Sequence, residues 1–562
     1  MENAKLQALL NRVKTQGQVQ AQTNRSEQDG YEYNPQQQLG IQKIVNGESV
    51  LIMGPAGSGK TTLVKLAVNE VIKANKLEPL KADGHKTLQS GSPNIACISF
   101  TNKAIQNIKR MLPADLAENC MTIHKLLEFI PDFYETIDPN SGDIKKSMKF
   151  VPSRNQYKPL PKLAIILIDE GTTVQVDLWN QLVEAIAYIP QIIIVGDIHQ
   201  LPPVFGKSIF VAALQLGIAT VELTHIYRQA KNSPIINLAH RIKDGKQLAA
   251  KDLPDFAVTS EQGAVKITPW KKQLDERVAV ITVCDFIIKK IEAGEHDPFN
   301  DIILTPFNKS FGTLAINAEI ATYLAKKAEA PVTEVFSGIQ KKYFREGDKI
   351  IYRGMEGQIT KISRNGNYYG KLPRRPSATL DYNGLDRVPC SEKAAYAGME
   401  GEEDIDRMLE HLASHTEGAE KISREASHTI EIYNATLDIH QTLSSSGDIN
   451  VLDLGYAITV HKSIGSEWDR VLFVTHHTQS NMWYRELLYT AVTRAAKELH
   501  IICEPSTFVK GINSQRIPGD TLQDKIEAFN KLANMEKAQN VSNPQTDVLG
   551  TEFLLRGNIN EN

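Results

Sequence analysis

The sequence predicts an α/β protein with two parallel-sheet domains, and three observations support this fold class. An apolar run, Val50–Met53, breaks into a glycine-rich turn and continues as a helical pattern. A second run, Leu163–Ile168, is apolar at every position, as a parallel strand covered on both faces must be. A further set of strand and helix patterns follows residue 220 and contains no second glycine-rich turn. This alternation is typical of doubly wound sheets.

Length and composition restrict the class of protein. The 562 residues exceed the roughly 250–300 that one core can serve, so we expect two large domains and two or more small ones. The net charge of −3 excludes a globally basic coat for nucleic acid, and any such contact must be local. The five cysteines contain no Cys-x-x-Cys pair, which argues against a zinc site or a disulfide framework. No stretch reaches a membrane span of about 18–20 apolar residues, and the N-terminus lacks a signal-peptide core, so we expect a soluble, cytoplasmic protein.

The chain begins with a Gln-rich polar segment, residues 1–32, which we interpret as a flexible tail. An amphipathic helix pattern then starts near Asn34 and leads through Gly47 into the first strand. Gln37, at a fixed position before the glycine-rich turn, is open to two interpretations. It is either an ordinary surface glutamine or a residue that reads the adenine edge of a nucleotide.

The turn after the first strand predicts a phosphate cradle. Backbone N–H groups of such a turn, with the positive end of the following helix, attract phosphate. Gly54, Gly57 and Gly59 allow close approach of the backbone, Lys60 can reach the β- and γ-phosphates, and the Thr61 hydroxyl can hold Mg²⁺. The alternative is a chance glycine-rich turn, but the agreement of strand, turn, Lys-Thr pair and helix favours a nucleotide site.

Two carboxylates follow the apolar strand Leu163–Ile168, at what should be the ligand-binding edge of the sheet. Asp169 would hold Mg²⁺ through water, and Glu170 would polarise the water that attacks the γ-phosphate. The next strand, residues 191–195, leads to Gln200, which is placed to sense that phosphate. The pattern predicts hydrolysis of a nucleoside triphosphate.

Two segments read as antiparallel structure. Residues 134–154 predict a basic hairpin about a turn at 138–142, which is either a solvated surface loop or a pin against a nucleic-acid duplex. Residues 331–450 contain short strand patterns, many glycines and a basic patch at 371–375, which predict a small β-barrel. The acidic run at 400–406 is interpreted as a solvated helix face, and after residue 511 we expect one helix and a polar tail.

Eight motifs occur in order along the chain: GPAGSGKTT, SFTNKA, TIHKLL, IDEGT, GDIHQLPPV, LTHIYRQ, YAITVHKSIGSEWDRV and LLYTAVTRA. The series resembles superfamily 1 DNA helicases of the RecD-like and Dda-like branch, over about residues 33 to 505. That branch typically moves 5′ to 3′ on single-stranded DNA. The resemblance therefore implies ATP and Mg²⁺ as cofactors, and single-stranded DNA and duplex junctions as partners. It also implies a motor that works as a monomer and does not bind a membrane. The two tails would be candidate contacts for replication or recombination proteins.

The resemblance also implies a domain plan of two tandem RecA-like P-loop NTPase domains with an inserted β-hairpin and an inserted small SH3-like β-barrel. The implied boundaries are a tail at 1–32, the first domain at 33–219 with the hairpin or pin at 130–160, the second domain at 220–330 and 451–511, the barrel with its acidic segment at 331–450, and a C-terminal helix and tail at 512–562.

The resemblance assigns residues from both domains to the nucleotide. Its catalytic residues would be Lys60, Asp169, Glu170, Gln200, Arg228 and Arg494. Its nucleotide contacts would be Gln37, Gly54, Pro55, Ala56, Gly57, Ser58, Gly59, Lys60, Thr61, Thr62, Tyr227 and Glu467, with Thr61 and Asp169 at the metal. Its DNA contacts would be Phe100, Thr101, Asn102, His124, Thr459, His461 and Lys462.

Two departures from the family pattern leave the catalytic groups in place: Gly171-Thr172 stands where an Ala is usual, and Ile464 where Gln is frequent. Three other hypotheses stay open beside a DNA helicase. They are an ATPase that translocates or remodels complexes without separating strands, a helicase acting on RNA, and a non-motor P-loop protein such as a nucleotide kinase. The last leaves Arg494 and the segment Thr459–Glu467 without a role.

Overall fold

The computed structural model describes residues 34–75, 94–112, 119–137, 144–203, 208–215, 218–226, 232–245, 257–270, 275–309, 311–337, 341–366, 425–434 and 439–516, with a few isolated positions. Several predictions lie outside these residues. They concern the tail at 1–32, the hairpin turn at 138–142, the basic patch at 371–375, the acidic run at 400–406 and most of the C-terminal tail. No helix among the described residues has the length and apolar character needed to cross a bilayer.

The first domain is a parallel sheet whose described strands follow the order β3-β2-β6-β7-β1-β8. Its central strands are buried on both faces, which explains their uninterrupted apolar sequences. The strands are β1 (Val50–Met53), β2 (Asn94–Ser99), β3 (Cys120–Thr122), β6 (Leu163–Ile168), β7 (Gln191–Gly196) and β8 (Thr220–Glu222). The predicted α/β class with parallel sheets is confirmed.

Helices cover both faces of this sheet and form two core clusters with it. The helices are α1 (Pro35–Val45), α2 (Lys60–Asn75), α3 (Asn102–Met111), α4 (Ile123–Leu126), α5 (Val176–Ala185) and α6 (Ile209–Gln215). Helix α1 begins where the sequence predicts, because Asn34 and Gln37 form a reciprocal capping box and Pro35 occupies the first turn.

An antiparallel pair leaves the first domain directly after α4. Strand β4 (Phe129–Ile137) pairs with β5 (Ile144–Pro152) in an unbroken register from Phe129 opposite Pro152 to Ile137 opposite Ile144. The pair begins five residues before Tyr134, the start expected from the strand pattern, and one residue before the bound of 130 implied by the resemblance. The extra residues matter because they connect the hairpin directly to the helix that carries His124.

The second domain has its own sheet, with described strands in the order β19-β11-β20-β21-β10-β9 and only β9 antiparallel. The strands are β9 (Val258–Ser260), β10 (Gly263–Pro269), β11 (Ile302–Thr305), β19 (Ala457–Thr459), β20 (Trp468–Val474) and β21 (Ala495–Cys503). The helices are α7 (Pro234–Lys243), α8 (Glu276–Glu292), α9 (Thr313–Ala328), α11 (Arg485–Val492) and α12 (Pro505–Asn513).

Between α9 and β19 the chain forms a smaller antiparallel sheet, whose described strands follow the order β17-β16-β15-β14-β18. Its elements are β14 (Lys349–Tyr352), β15 (Met355–Arg364), β16 (Glu425–Asn434), β17 (Ile439–Ser445), the short helix α10 (Ser446–Asn450) and β18 (Leu452–Leu454), preceded by the pair β12 (Thr333–Phe336) and β13 (Lys341–Phe344). This small sheet encloses its own apolar cluster.

Two predicted boundaries are wrong by a few residues. The prediction ended the first domain at residue 219, but Thr220–Glu222 pairs with β1 and completes the first sheet. The prediction assigned Val451–Leu454 to the second parallel sheet, but Leu452–Leu454 pairs antiparallel with β14 in the small sheet. Both errors concern short edge strands, whose apolar residues fit either neighbouring sheet equally well.

A buried polar cluster joins the small sheet to the second domain. Lys349, at the start of β14, donates from Nζ to the carbonyl of Asp301 at 2.9 Å and lies 3.3 Å from a carboxylate oxygen of Glu356. His296 is buried beside it. Burial and the charge of Lys349 lower the pKa of His296 to about 3. The carboxylate of Asp297 opposes these two effects more weakly, so the ring is neutral.

The neutral His296 should make the second domain sensitive to acid. The unfolded chain, with an ordinary histidine, binds a proton below pH 6.5 that the folded chain does not bind until about pH 3. Stability is therefore lost as pH falls through this window, by about 1.4 kcal/mol per pH unit. We expect His296→Gln to reduce the fall in Tm between pH 7.5 and 5. The exposed His440 is the control, and an identical fall in wild type and His296→Gln would contradict the assignment.

Candidate nucleotide and nucleic-acid site

The glycine-rich turn between β1 and α2 is tightly closed. Gly57 and Gly59 have φ angles of 78° and 80°, in the left-handed region that favours glycine. A Cβ on Gly54 would lie 2.9 Å from the carbonyl oxygen of Leu223. Lys60 folds back on the turn and donates from Nζ to the carbonyl oxygens of Gly54 at 2.6 Å and Pro55 at 3.2 Å. The turn thus presents its backbone and a lysine at the C-terminal edge of the sheet, with Thr61 exposed beside them.

The two carboxylates lie at the same edge. Asp169 follows β6 and is held by a backbone bond from its N–H to the carbonyl of Ile98 at 2.9 Å. Glu170 occupies the left-handed region, with φ of 51°. Asp169 keeps part of its surface exposed, yet burial and the charge of Glu170 raise its pKa to about 7, against a smaller opposing effect of Lys60. A crowded pair of carboxylates with one nearby lysine is a donor set that suits a divalent cation.

Several buried oxygen atoms near this edge lack hydrogen-bond partners among the described residues: Ser58 Oγ, Ser99 Oγ, Thr172 Oγ1 and Gln200 Oε1. Ser58 lies in the glycine-rich turn and Gln200 in the loop after β7. Gln200 is 7% exposed, and its backbone N–H donates to the carbonyl of Asp197 at 3.0 Å. An orphaned buried amide oxygen is costly unless something binds it. The site therefore fits a triphosphate with an attacking water, which would donate to Gln200.

Gln37 lies deeper than the sequence suggests. It is fully buried, its Oε1 accepts from the N–H of Asn34 at 3.4 Å, and its Nε2 donates to the carbonyl of Gly59 at 3.3 Å. The neighbouring pocket is lined instead by Asn34, Pro35, Gln36, Thr224, His225 and Ile226. In it, Gln36 exchanges two hydrogen bonds with Thr224, at 2.8 and 2.9 Å. Gln37 thus supports the glycine-rich turn, and Gln36 faces the pocket.

Arg494 follows α11 in the second domain and is 5% exposed. Its guanidinium donates to the carbonyl oxygens of Thr490 and Ser466, each at 3.0 Å. Glu467, next in the chain, is exposed. Tyr227 and Arg228 lie outside the described residues.

The two domains meet directly at the glycine-rich turn. The Tyr489 hydroxyl, from α11, accepts from the N–H of Ala56 at 2.8 Å and donates to Asp197 at 2.7 Å. The N–H of Leu201 donates to the Thr490 hydroxyl at 3.0 Å. Leu201 also packs in the apolar core of the second domain. Lys60 and the helix that leads to Arg494 therefore border one cleft.

A second interdomain contact involves the predicted DNA residues. Thr101 caps α3 by accepting from the N–H of Ala104 at 3.2 Å, and its hydroxyl lies 3.5 Å from the carbonyl of Ile464. Asn107, one turn further along α3, donates to the carbonyl of Gly465 at 2.7 Å. Gly465 has φ of 77°, and a Cβ there would lie 2.9 Å from that of Ala104. The domains thus pack without space for a side chain at this point.

The other predicted DNA residues lie on either side of that contact. The rings of Phe100 and His124 pack edge to face, with their centroids 5.6 Å apart. The centroid of the His124 ring lies 4.9 Å from that of Phe129, the first hairpin residue. In the second domain, buried Thr459 accepts from the N–H of Lys462 at 3.2 Å.

The remaining two of these residues differ in exposure. Burial and Arg516 lower the pKa of His461 to about 4, so this ring is neutral. Lys462 is exposed and lies 3.4 Å from a carboxylate oxygen of Asp453. The Asn102 side chain lies outside the description.

Sequence reasoning missed the residues that join the domains. These residues are Asp197, Tyr489 and Thr490, which belong to the quoted motifs, and Asn107, which belongs to α3. No periodicity or spacing in the sequence indicates that they form contacts between the two domains. Only their position in polar motifs beside predicted catalytic residues could have suggested it.

The chain is similar to known proteins in two regions and over most of its length. Residues 37–206 match the model of an AAA domain, and residues 454–502 match a UvrD-like helicase C-terminal domain. The chain is 23% identical to the ATP-dependent RecD2 DNA helicase of Deinococcus radiodurans, over 81% of this chain and 47% of that protein. It is 20% identical to the RecBCD enzyme subunit RecD of Buchnera aphidicola, over 82% of this chain and 71% of that protein. It spans about half the length of the RecD2 helicase.

Two more comparisons are narrower or more distant. The ATP-dependent DNA helicase dda of phage T4 is 27% identical over 35% of this chain and 38% of its own length. The crystal structure of Bacteroides Pif1 bound to single-stranded DNA is 16% identical and covers 91% of this chain and 98% of that chain, with a TM-score of 0.43.

Substitution at the Gly465 contact should open the cleft. Gly465→Ala places a Cβ against Ala104, so we expect a larger distance between the domains, measured by energy transfer between dyes on each. Gly354→Ala is the matched control, because Gly354 has φ of 74° and no atom of the described residues lies within 4 Å of an added Cβ. Both variants carry the backbone cost of about 1–2 kcal/mol, but only the first has the clash. Ala104→Gly should partly restore the distance in Gly465→Ala, and equal distances in both single variants would contradict the contact.

Proposed function

We propose that this chain, a relative of the superfamily 1 RecD-like helicases, couples ATP hydrolysis to 5′-to-3′ movement along single-stranded DNA and to separation of duplex DNA. One observation carries the proposal: the glycine-rich turn of one domain and the helix leading to Arg494 of the other border a single cleft, joined by the Tyr489 hydroxyl. A nucleotide bound there would change the relation between two domains that also hold the predicted DNA contacts.

The residues divide the chemistry between them. On nucleotide binding, Lys60 would exchange the carbonyls of Gly54 and Pro55 for phosphate oxygens. Thr61 and Asp169 would hold Mg²⁺, which when bound neutralises charge on the phosphates. Glu170 would accept a proton from the attacking water. Gln200 would orient that water through its Oε1, which no described residue binds.

The guanidinium groups would act on the transferring phosphoryl group. Arg494, with Arg228, would stabilise the charge that develops there. The Nε of Arg494 is held by the carbonyl of Thr490, so a terminal nitrogen would exchange the carbonyl of Ser466 for a phosphate oxygen.

The base would enter the pocket lined by Gln36 and Thr224, with Tyr227 beside it. Gln37, from below, would fix the glycine-rich turn through Gly59. Glu467 would contact the nucleotide from the second domain.

The DNA strand would lie across both domains beside the Gly465 contact. Phe100 and His124 offer ring faces and edges on which bases stack, at about 1–3 kcal/mol each and without reading sequence. Thr101 and Asn102 on one domain and Thr459, His461 and Lys462 on the other would grip the backbone. Movement then requires that the two grips differ in affinity between the open and closed cleft.

The hairpin β4–β5 is the proposed strand-separating pin. Its first residue, Phe129, contacts His124, so the hairpin starts where the proposed track of aromatic rings ends. The small antiparallel sheet would lie over the DNA as the proposed SH3-like barrel. Lys349 connects this sheet to the second domain, which supports the proposal.

Removing the phosphate-binding lysine should stop turnover. We expect Lys60→Ala to lower single-strand-stimulated ATP hydrolysis by at least about 100-fold, because an aligned charge at the transferring phosphate is lost. DNA binding, measured by fluorescence anisotropy, should persist. Lys65→Ala, an exposed lysine on the same helix, is the control. Equal turnover in wild type and Lys60→Ala would remove the nucleotide role of the turn.

Shortening the hairpin should separate movement from unwinding. Phe133 and Met148 face each other in the register, so an Asn-Gly turn can join them in place of residues 134–147. We expect single-strand-stimulated hydrolysis to stay within about threefold, while unwinding of a 5′-tailed duplex is lost. Lys145→Gln with Lys146→Gln, at full hairpin length, separates the effect of charge from that of length.

The same assay, run on the wild type, distinguishes the alternatives. Unwinding of 3′-tailed substrates alone would overturn the direction, and stimulation by RNA above DNA would favour an RNA track. Stimulated hydrolysis without strand separation would favour a translocase that remodels complexes.

A further inference from the structure

Two consecutive residues of α11, Tyr489 and Thr490, form hydrogen bonds with the first domain. Tyr489 is fully buried, and its hydroxyl is bonded twice, by the N–H of Ala56 and to Oδ2 of Asp197. Thr490, also fully buried, accepts from the N–H of Leu201. The glycine-rich turn and the loop after β7 are therefore both anchored on one turn of one helix.

The same turn anchors Arg494. Its Nε donates to the carbonyl of Thr490 at 3.0 Å, and a terminal nitrogen donates to the hydroxyl of Thr493 at 3.0 Å. Because Thr490 binds Leu201 through its side chain and Arg494 through its backbone, one residue connects the two. The arginine cannot shift along the helix axis relative to Leu201 without breaking one of these bonds.

The loop after β7 is anchored at both ends of its turn. Oδ1 of Asp197 accepts from the N–H of His199 at 3.0 Å, and its carbonyl accepts from the N–H of Gln200. Asp197 is 1% exposed, so the Tyr489 hydroxyl supplies a donor that water cannot easily replace. Between Asp197 and Leu201, both held by α11, lies Gln200, whose Oε1 has no hydrogen-bond partner in the part of the chain that the structure describes.

We propose that Tyr489 and Thr490 are positioning residues that fix Gln200 and Arg494 relative to each other and to the glycine-rich turn. The inference rests on the proposed function, in which Gln200 orients the attacking water and Arg494 stabilises the transferring phosphate. Tyr489 and Thr490 would contact neither the attacking water nor the transferring phosphate. They act by keeping the distance between the Gln200 amide and the Arg494 guanidinium the same each time the cleft closes.

Such positioning acts on the transition state more than on nucleotide binding. A displacement of about 1 Å at a catalytic group can cost about 100-fold in rate. Loss of the Tyr489 or Thr490 hydroxyl should therefore lower kcat strongly, while KM for ATP, set mainly by the glycine-rich turn and Lys60, changes little.

The test compares Tyr489→Phe and Thr490→Val with the wild type. We expect kcat of single-strand-stimulated hydrolysis to fall about 100-fold in Tyr489→Phe, with KM for ATP within about threefold. Affinity for ADP with aluminium fluoride, a mimic of the transferring phosphoryl group, should fall by a similar factor, while ADP affinity should not. Thr490→Ser keeps the acceptor for Leu201 and should restore most of what Thr490→Val loses.

Tyr456→Phe is the matched control. The Tyr456 hydroxyl also accepts a backbone N–H, from Lys349 at 3.2 Å, and donates to a buried carboxylate, Asp348, at 3.0 Å. It lies between the second domain and the small sheet, away from the cleft. A role of Tyr489 in stability alone would give both variants the same loss of Tm and the same kinetics.

The outcomes separate the two claims. A wild type with single-strand-stimulated hydrolysis, and variants that keep kcat and the affinity for the fluoride complex, would overturn the positioning role alone. A rise in KM with kcat unchanged would assign Tyr489 to nucleotide binding and also overturn it. A wild type that neither hydrolyses ATP nor binds the fluoride complex would overturn the proposed function, and the positioning role with it.

Discussion

One buried hydroxyl group is hydrogen-bonded at the junction of the two domains from two sides. The Tyr489 hydroxyl accepts a hydrogen bond from the glycine-rich turn and donates one to Asp197. All three groups lie at the junction of the two domains. A buried hydroxyl bonded in both directions has few alternative positions, because any shift leaves a buried partner unpaired. Burial raises its pKa well above the usual range, so it stays a donor. The spacing of the proposed catalytic groups follows from this constraint.

The domains have a second meeting point of a different character. Around Gly465 the contact is made by close approach of backbone and small side chains, with Asn107 supplying one hydrogen bond. Van der Waals contacts of this kind are lost over a fraction of an ångström. A polar junction at the nucleotide edge and a close-packed one beside the proposed DNA track suit a cleft that opens and closes as two discrete states.

The small sheet contacts the second domain, away from the cleft, through the same two kinds of interaction. Lys349, Asp348 and Tyr456 form a buried polar junction with the second domain, and Gly455 lies so close to the backbone of Ile350 that no side chain fits. Buried groups that satisfy one another only in one arrangement fix orientation. The small sheet and the second domain are thus coupled as one body in the proposed motor.

The sequence by itself determined the two α/β domains, the glycine-rich turn and the acidic pair, because buried parallel strands and phosphate-binding turns depend on local residue order. It also determined the start of α1 through the capping pair Asn34 and Gln37. The sheet assignment of the short strands at 220–222 and 452–454, the burial of Gln37 against Gly59, and the contacts of Tyr489 and Asn107 were decided only by the tertiary structure. Each depends on which surfaces meet after residues hundreds of positions apart have packed, and local patterns carry no information on that geometry.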